Sequence, residues 1–408
     1  MNFSFRCPTR LEFGPGLVRR AGELLSGLGL DSALLVCGSG PTKASPGYAA
    51  LKDSLRAAGV AYGEFARVTP DPSDALVNQA AAQALAEGRS CVLAYGGGSP
   101  IDCAKSAALV AANAADGRGA DGRGADGSGA DGSGAPGILD YLYGRAQPVR
   151  PALPIIAVPT TAGTGSEMSA AAVTTDAAAK RKLGYSHDSF FPAVALVDPE
   201  LHLSMPPSVT AATGMDALTH VIESYLSLGA NPASDAVNLR CAELIGGSLK
   251  RAYERGDDLD ARADMAAASA LAGAAFSNTG LGMVHGFAHP VGARHGVAHG
   301  SANAVILPFV LAAMEGAAGP RMRRLAEALA PGMARAGLPR LVAELAAALG
   351  IAPSLKALGI AEPELAAILP DALSYRMRPR SPRAFSDAEL EALLRAAWEG
   401  DLKAAAAV

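Results

Sequence analysis

Residues 90–105 read SCVLAYGGGSPIDCAK. Ser90 to Tyr95 is a near-continuous apolar run, the pattern of a strand buried on both faces of a parallel sheet. Gly96, Gly97 and Gly98 then turn the chain. Ser99, Pro100 and Asp102 carry the marks of a helix start: an N-cap hydroxyl, a proline at the first helical position and a capping-box acid. Such a turn offers free backbone N–H groups and a positive dipole end to a phosphate. It lacks the GxGxxG spacing, so a purely structural strand-to-helix turn accounts for these residues equally well.

Working outward, Ser32 to Cys37 (SALLVC), Pro154 to Val158 (PIIAV) and Ala193 to Val197 (AVALV) repeat the strand pattern. Leu17 to Leu28 and Ser73 to Glu87 carry helical spacing. Strand-helix alternation implies an α/β domain with a parallel sheet and a ligand crevice at the strand ends. A second small-residue loop, Pro159 to Glu167 (PTTAGTGSE), also follows a strand, which favours a dinucleotide over a bare turn. From about Pro206 the strand signal stops. Val209 to Leu228, Ser234 to Tyr253 and Ala261 to Phe276 read as helices, and Ser386 with Glu389 opens a last helix through Trp398. The expected organisation is an α/β dinucleotide-binding domain over residues 1–200 and an all-α domain over 201–408. Residues 115–135 repeat a Gly-Arg/Ser-Gly-Ala-Asp pentapeptide. That composition predicts a flexible surface loop, because neither EF-hand spacing nor a nonapeptide β-helix period is present.

Composition narrows the function. With 408 residues, 50% hydrophobic and 18% charged, both domains can bury a core. Lys+Arg total 35 against 39 Asp+Glu, a net charge of -4 that argues against nucleic acid or an anionic membrane as partner. The start, MNFSFRCPTRLEF, lacks signal-peptide character, and no run of about 18 apolar residues occurs. Five scattered cysteines form no CxxC pair. A cytoplasmic protein is the expectation.

The chemistry concentrates in two helical stretches. Asp216 and His220 in GMDALTH are i and i+4, so they share a helix face. Alone, such a pair is usually an ordinary surface contact. Residues 281–300, LGMVHGFAHPVGARHGVAHG, hold four of the seven histidines: His285, His289, His295 and His299. One carboxylate with several imidazoles is a donor set for Fe(II), Zn(II) or a similar divalent ion. Four histidines outnumber the ligands needed, so at least one has another role.

GGGSPIDCAK (96–105), PTTAGTGSE (159–167), GMDALTHVIESY (214–225) and GLGMVHGFAHPVGARHGVAHG (280–300) resemble the iron-containing alcohol dehydrogenases, and most of all the lactaldehyde reductase and 1,3-propanediol dehydrogenase type. The resemblance implies the dehydroquinate synthase-like architecture: a dinucleotide-binding α/β domain and a helical metal-binding and catalytic domain, with the active site between them. It implies Asp216, His220, His285 and His299 as metal ligands. It also implies cofactor contacts from Gly38, Ser39, Asp71, Gly97, Gly98, Ser99, Asp102, Thr160, Thr161, Thr164, Val173 and Lys182. His289 matches a family histidine near the nicotinamide that is not a ligand, and it is the candidate for the first proton relay; Asp102 is the second catalytic candidate. His295 matches no family role and reads as a loop residue. Phe276 and Ala171 fall where relatives line the substrate pocket. A homodimer is expected.

The implied reaction is reversible hydride transfer between NAD(P)(H) and a small alcohol or aldehyde, with the metal as Lewis acid toward the substrate oxygen. Fe(II) is the expected ion, and Zn(II) suits the same donors. Relatives that prefer NAD commonly carry an aspartate where this chain has Gly38. Without that carboxylate a 2′-phosphate is not repelled, and Ser39 and Lys43 could meet it, so NADP should be accepted. A polyol dehydrogenase or a dehydroquinate synthase-like lyase is the alternative on this fold, although only Arg294 is basic between His285 and His299. A non-catalytic scaffold would not need an intact donor set and two cofactor loops.

Overall fold

The computed structural model describes residues 2–114 and 135–408. The chain forms two compact units. One comprises Cys7–Thr161 and Ser166–His202; the other comprises Met1–Arg6, Ala162–Gly165 and Leu203–Val408.

The first unit is built on six strands: β1 (Arg10–Phe13), β2 (Ser32–Gly38), β3 (Ala61–Val68), β4 (Cys91–Gly96), β5 (Ile155–Pro159) and β8 (Val194–Val197). They form an all-parallel sheet in the order β1-β8-β5-β4-β2-β3. Side chains alternate between its faces, as the strand period of two requires. Leu34, Val36, Val92, Ala94 and Ile155 pack on one side with Ile101, Ala104 and Ala108 of the Gly98–Ala114 helix. Leu35, Leu93, Tyr95, Ile156 and Leu196 pack on the other with Leu25, Tyr48 and Leu51. β2 is followed by β3 on one side, while β4 and β5 lie on the other. The order therefore reverses between β2 and β4, the place where ligands bind in open α/β sheets. Gly38 and Gly96 end those two strands at their carboxyl edge.

Among the described residues, four strands coincide with the apolar runs of the sequence and four more do not. β1 and β3 are edge strands, and β3 is mostly half-exposed, so neither carries a continuous apolar run. β6 (Ala171–Asp176) and β7 (Arg181–Ser186) form a separate antiparallel hairpin rich in polar residues. Of the pentapeptide repeat expected to form a flexible loop, residues 115–134 lie outside the described residues. The chain on either side is fixed. Buried Asn113 donates to the Leu109 and Arg150 carbonyls and accepts from the Val149 and Arg150 amides. Asn78 Oδ1 accepts from the Ile138 amide at 3.0 Å.

The second unit is helical. Its main helices are Pro207–Leu226, Pro232–Glu254, Leu259–Thr279, Met283–His295 and His299–Leu329. Their starts follow local chemistry: Pro207 at a first turn, an Asn231/Ser234 capping box, and Asp258 accepting from the Ala261 amide. The expected Ser386/Glu389 capping box opens the Asp387–Glu399 helix. Among the described residues, His299–Leu329 alone is long and apolar enough to cross a membrane, but 83% of its apolar window is buried inside the protein. It is the core helix of this unit, contributing Val305, Leu307, Val310 and Leu325.

Candidate metal centre and cofactor loops

The Pro207–Leu226 helix brings Asp216, His220 and Glu223 to one face, at i, i+4 and i+7. The next helix but two, Met283–His295, contributes His285 in its first turn, and His299 begins the long core helix. Asp216, His220 and His285 are buried and His299 is partly so. One ligand atom from each of these four lies within 4.8 Å of all the others.

Both innermost imidazoles are held from behind. His285 Nδ1 lies 2.5 Å from Glu223 Oε2, while Glu223 Oε1 accepts from the Val284 amide. His220 Nδ1 lies 3.2 Å from the Gly163 carbonyl. A ring nitrogen facing an acceptor carries the proton, so Nε2 is left as a lone pair on each ring. Those two Nε2 atoms face each other at 3.1 Å. Burial and the neighbouring His220 hold His285 well below the ordinary imidazole range, so the ring is neutral. Two lone pairs opposed at this distance beside a buried carboxylate repel unless a positive centre lies among them. The donor set thus fits a divalent cation. Burial pushes the Glu223 carboxyl up to about 7 against the backbone N–H groups of Gly282, Val284 and His285, which favour its charged form. A cation at the cluster would favour that form further.

All four residues implied as ligands converge. His289 stands beside them, its ring centroid 5.8 Å from that of His285 and 5.4 Å from that of His299, with Tyr375 edge-on at 5.6 Å. Phe276 stacks on His220 at 4.8 Å. His295, expected in a loop, instead closes the Met283–His295 helix, with Nδ1 3.6 Å from Glu364 Oε1. The preceding turn continues through it because Gly296, in the left-handed conformation, supplies the stop. Three participants escaped the reading of the sequence: Glu223, Tyr375 and Asn303, whose Nδ2 donates to Asp216 Oδ1 at 2.7 Å. Spacing was a usable signal for two of them. Glu223 is i+3 from His220 and Asn303 is i+4 from His299.

In the sheet unit, the Gly98–Ala114 helix starts one residue before Ser99. Ser99 and Asp102 are therefore inside the helix, and the expected capping box does not form. Ser99 Oγ instead accepts from the Asp71 amide at 3.2 Å. Asp71 has φ 55, and its carboxylate meets Lys182 Nζ at 2.7 Å. Asp102 turns inward: Oδ1 accepts from Ser166 Oγ at 2.8 Å and Oδ2 from the Val173 amide at 2.9 Å. Lys105, on the same helix, donates to the Ser169 and Ala171 carbonyls and to Ser169 Oγ. These two residues fasten the 166–173 segment to the glycine-turn helix. Burial pushes Asp102 up to about 6 and Glu167 up to about 7, and Lys105 down to about 8.

Thr160 donates its amide to the Gly96 carbonyl at 2.9 Å, so the two loops run side by side. A Cβ on Gly97 would stand 2.9 Å from Thr161 Oγ1, closer than side chains tolerate. Gly38 and Ser39 lie at the end of β2, followed by Lys43, whose Nζ is 3.8 Å from Glu64. Thr164 falls in the Ala162–Gly165 stretch that belongs with the helical unit. There Gly165 and Gly273 meet backbone to backbone: a Cβ on Gly273 would stand 2.1 Å from the Gly165 carbonyl oxygen.

Known proteins resemble this chain over most of its length. The family description "Iron-containing alcohol dehydrogenase" matches residues 8–199, and "Fe-containing alcohol dehydrogenase family, C-terminal" matches 210–398. The NAD-dependent methanol dehydrogenase of Bacillus methanolicus is 37% identical over 76% of this chain and 75% of its own. The lactaldehyde reductase of Escherichia coli is 32% identical over 93% and 94%. A crystal structure of 1,3-propanediol oxidoreductase superposes with a TM-score of 0.86 at 32% identity, over 98% of this chain and all of that one. Two halves matched in order, near-complete coverage and a convergent Asp/His cluster make this chain a member of the iron-containing alcohol dehydrogenase family.

Proposed function

We propose that the protein interconverts a small alcohol and its aldehyde using NAD(P)(H), with Asp216, His220, His285 and His299 holding a divalent ion. The observation that carries this reading is the pair of Nε2 lone pairs facing each other at 3.1 Å beside Asp216. When bound, such an ion supplies Lewis acidity toward a substrate oxygen, and nicotinamide supplies or accepts the hydride. Glu223 and the Gly163 carbonyl keep His285 and His220 in the tautomer that offers Nε2. Phe276 and Tyr375 supply apolar surface next to His220 and His289, suited to a short carbon chain. His289 moves the hydroxyl proton toward solvent through its ring. His289→Gln should slow turnover by about 10²–10⁴-fold at full metal content; loss of metal in that variant would make the residue structural instead.

The glycine turn at Gly96–Ser99 and Thr160–Thr161 receive the pyrophosphate, with free N–H groups at the helix start. Asp71, Val173 and Lys182 complete the cofactor surface of the sheet unit in this reading, and Thr164 is a further proposed contact. Asp102 acts by anchoring the 166–173 segment. The glycine at position 38, with Ser39 and Lys43 nearby, admits a 2′-phosphate, so NADP is used alongside NAD. Fe(II) is the working ion and Zn(II) a competent competitor. A cytoplasmic homodimer completes the proposal, checked by light scattering and cell fractionation.

The decisive assay uses anaerobically purified protein, stripped and reloaded separately with Fe(II) and Zn(II), against short alcohols, diols and aldehydes with both cofactors. Steady NAD(P)H formation restored by Fe(II) is expected. Silence with every metal in a filled site would favour the lyase reading, and a large NAD preference in kcat/KM would refute the role given to position 38.

A further inference from the structure

Asn303 sits one helical turn beyond His299 and is fully buried. Its Nδ2 lies 2.7 Å from Asp216 Oδ1, 3.3 Å from His285 Nε2 and 3.2 Å from His299 Nε2. Its carbonyl Oδ1 is sealed from solvent with no hydrogen-bond partner. A buried carbonyl without a partner is destabilising. A leucine of comparable size would avoid that cost, so the donor end of the amide must contribute enough to offset it. That end faces a carboxylate oxygen and the nitrogens of two imidazoles. Turning the amide over would set its oxygen against the same acceptors, so the cluster itself fixes the orientation.

We propose that Asn303 is a positioning residue of the metal centre. Its amide holds Asp216 Oδ1 and thereby sets the rotamer of the carboxylate on one helix relative to His299 on another, 3.6 Å away, before an ion arrives. A neutral donor does this without adding positive charge, which lysine or arginine would bring into competition with the cation. A hydrogen bond to one lone pair of that oxygen also leaves the carboxylate with a defined direction in which to coordinate. This inference rests on the assignment of Asp216, His220, His285 and His299 as ligands.

The test uses full-length, metal-stripped protein: wild type, Asn303→Leu, Asn303→Ala and Asp216→Ala. Each is titrated with Zn(II) against a chromophoric chelator and with Co(II) while its visible absorption is followed. Both Asn303 variants should bind Zn(II) about 10–100-fold more weakly. Their Co(II) bands should shift in position at unchanged coordination number, and both metal-free variants should keep a cooperative melting transition. Wild-type affinity and spectrum in either folded variant would overturn the proposal. So would a fall in coordination number, which would make the amide oxygen a ligand in its own right. If wild type binds no Co(II), or Asp216→Ala binds it unchanged, the ligand assignment fails first and takes the proposal with it.

Discussion

In the candidate metal centre, Glu223 aims a proposed ligand, His285, without being one itself. Its two oxygens are divided between the Val284 amide and His285 Nδ1. A glutamine in its place keeps one acceptor and sets an NH₂ group against one of those two donors. Glu223→Gln should therefore weaken Zn(II) binding by about 10–100-fold, measured by chelator competition. Unchanged affinity would mean that His285 is aimed by its helix alone. The four residues that converge were legible in the sequence because each belongs to a long motif of unusual composition. Glu223 lay inside one of those motifs, but a glutamate within a helix is ordinary in sequence. Its importance comes from burial, which only the fold creates. Asn303 is the same case, and Tyr375 reaches His289 from a segment about 85 positions away that no spacing rule connects to it.

At the scale of elements, close approach and buried charge set the terms. Gly165 and Gly273 touch backbone to backbone, and Gly163, two residues earlier, holds His220 by its carbonyl. Gly273→Ala has no room for its methyl group. It should destabilise the protein by about 1–3 kcal/mol and also lower metal affinity, although the residue is no ligand. A fall in Tm with metal affinity intact would separate the loop from His220. In the sheet unit, Glu167 is buried beside Lys105 and Asp102, and burial pushes its carboxyl from 4.5 up to about 7. The folded state thus favours the protonated form. Its contribution is complete below the unfolded value near 4.5 and is lost as pH rises through about 7. Glu167→Gln has no charge to bury, so its Tm should gain on wild type between pH 5 and pH 8; a difference that is flat with pH would refute this. The strands were readable to the extent that they are buried. β2, β4, β5 and β8 carry apolar runs because both faces are covered, whereas β1 and β3 lie at edges and the β6–β7 hairpin stands apart from the sheet.

For the whole molecule, each unit has its own core, and the proposed metal ligands and the glycine turn lie in different units. Amide hydrogen exchange should record them separately. A divalent ion should protect the Asp216–Glu223 and Met283–Asn303 segments, and a dinucleotide should protect Gly96–Asp102 and Thr160–Thr161. Protection of the glycine turn by metal alone would contradict the assignment of the two sites. The two-part plan was legible because strand and helix periodicities change character near residue 200. The pentapeptide repeat was legible only as composition. Asn113 ties the end of the helix before the repeat to Val149 and Arg150, and Asn78 holds Ile138 just after it. The framework of the sheet unit is thus closed on both sides of the repeat by two asparagine side chains.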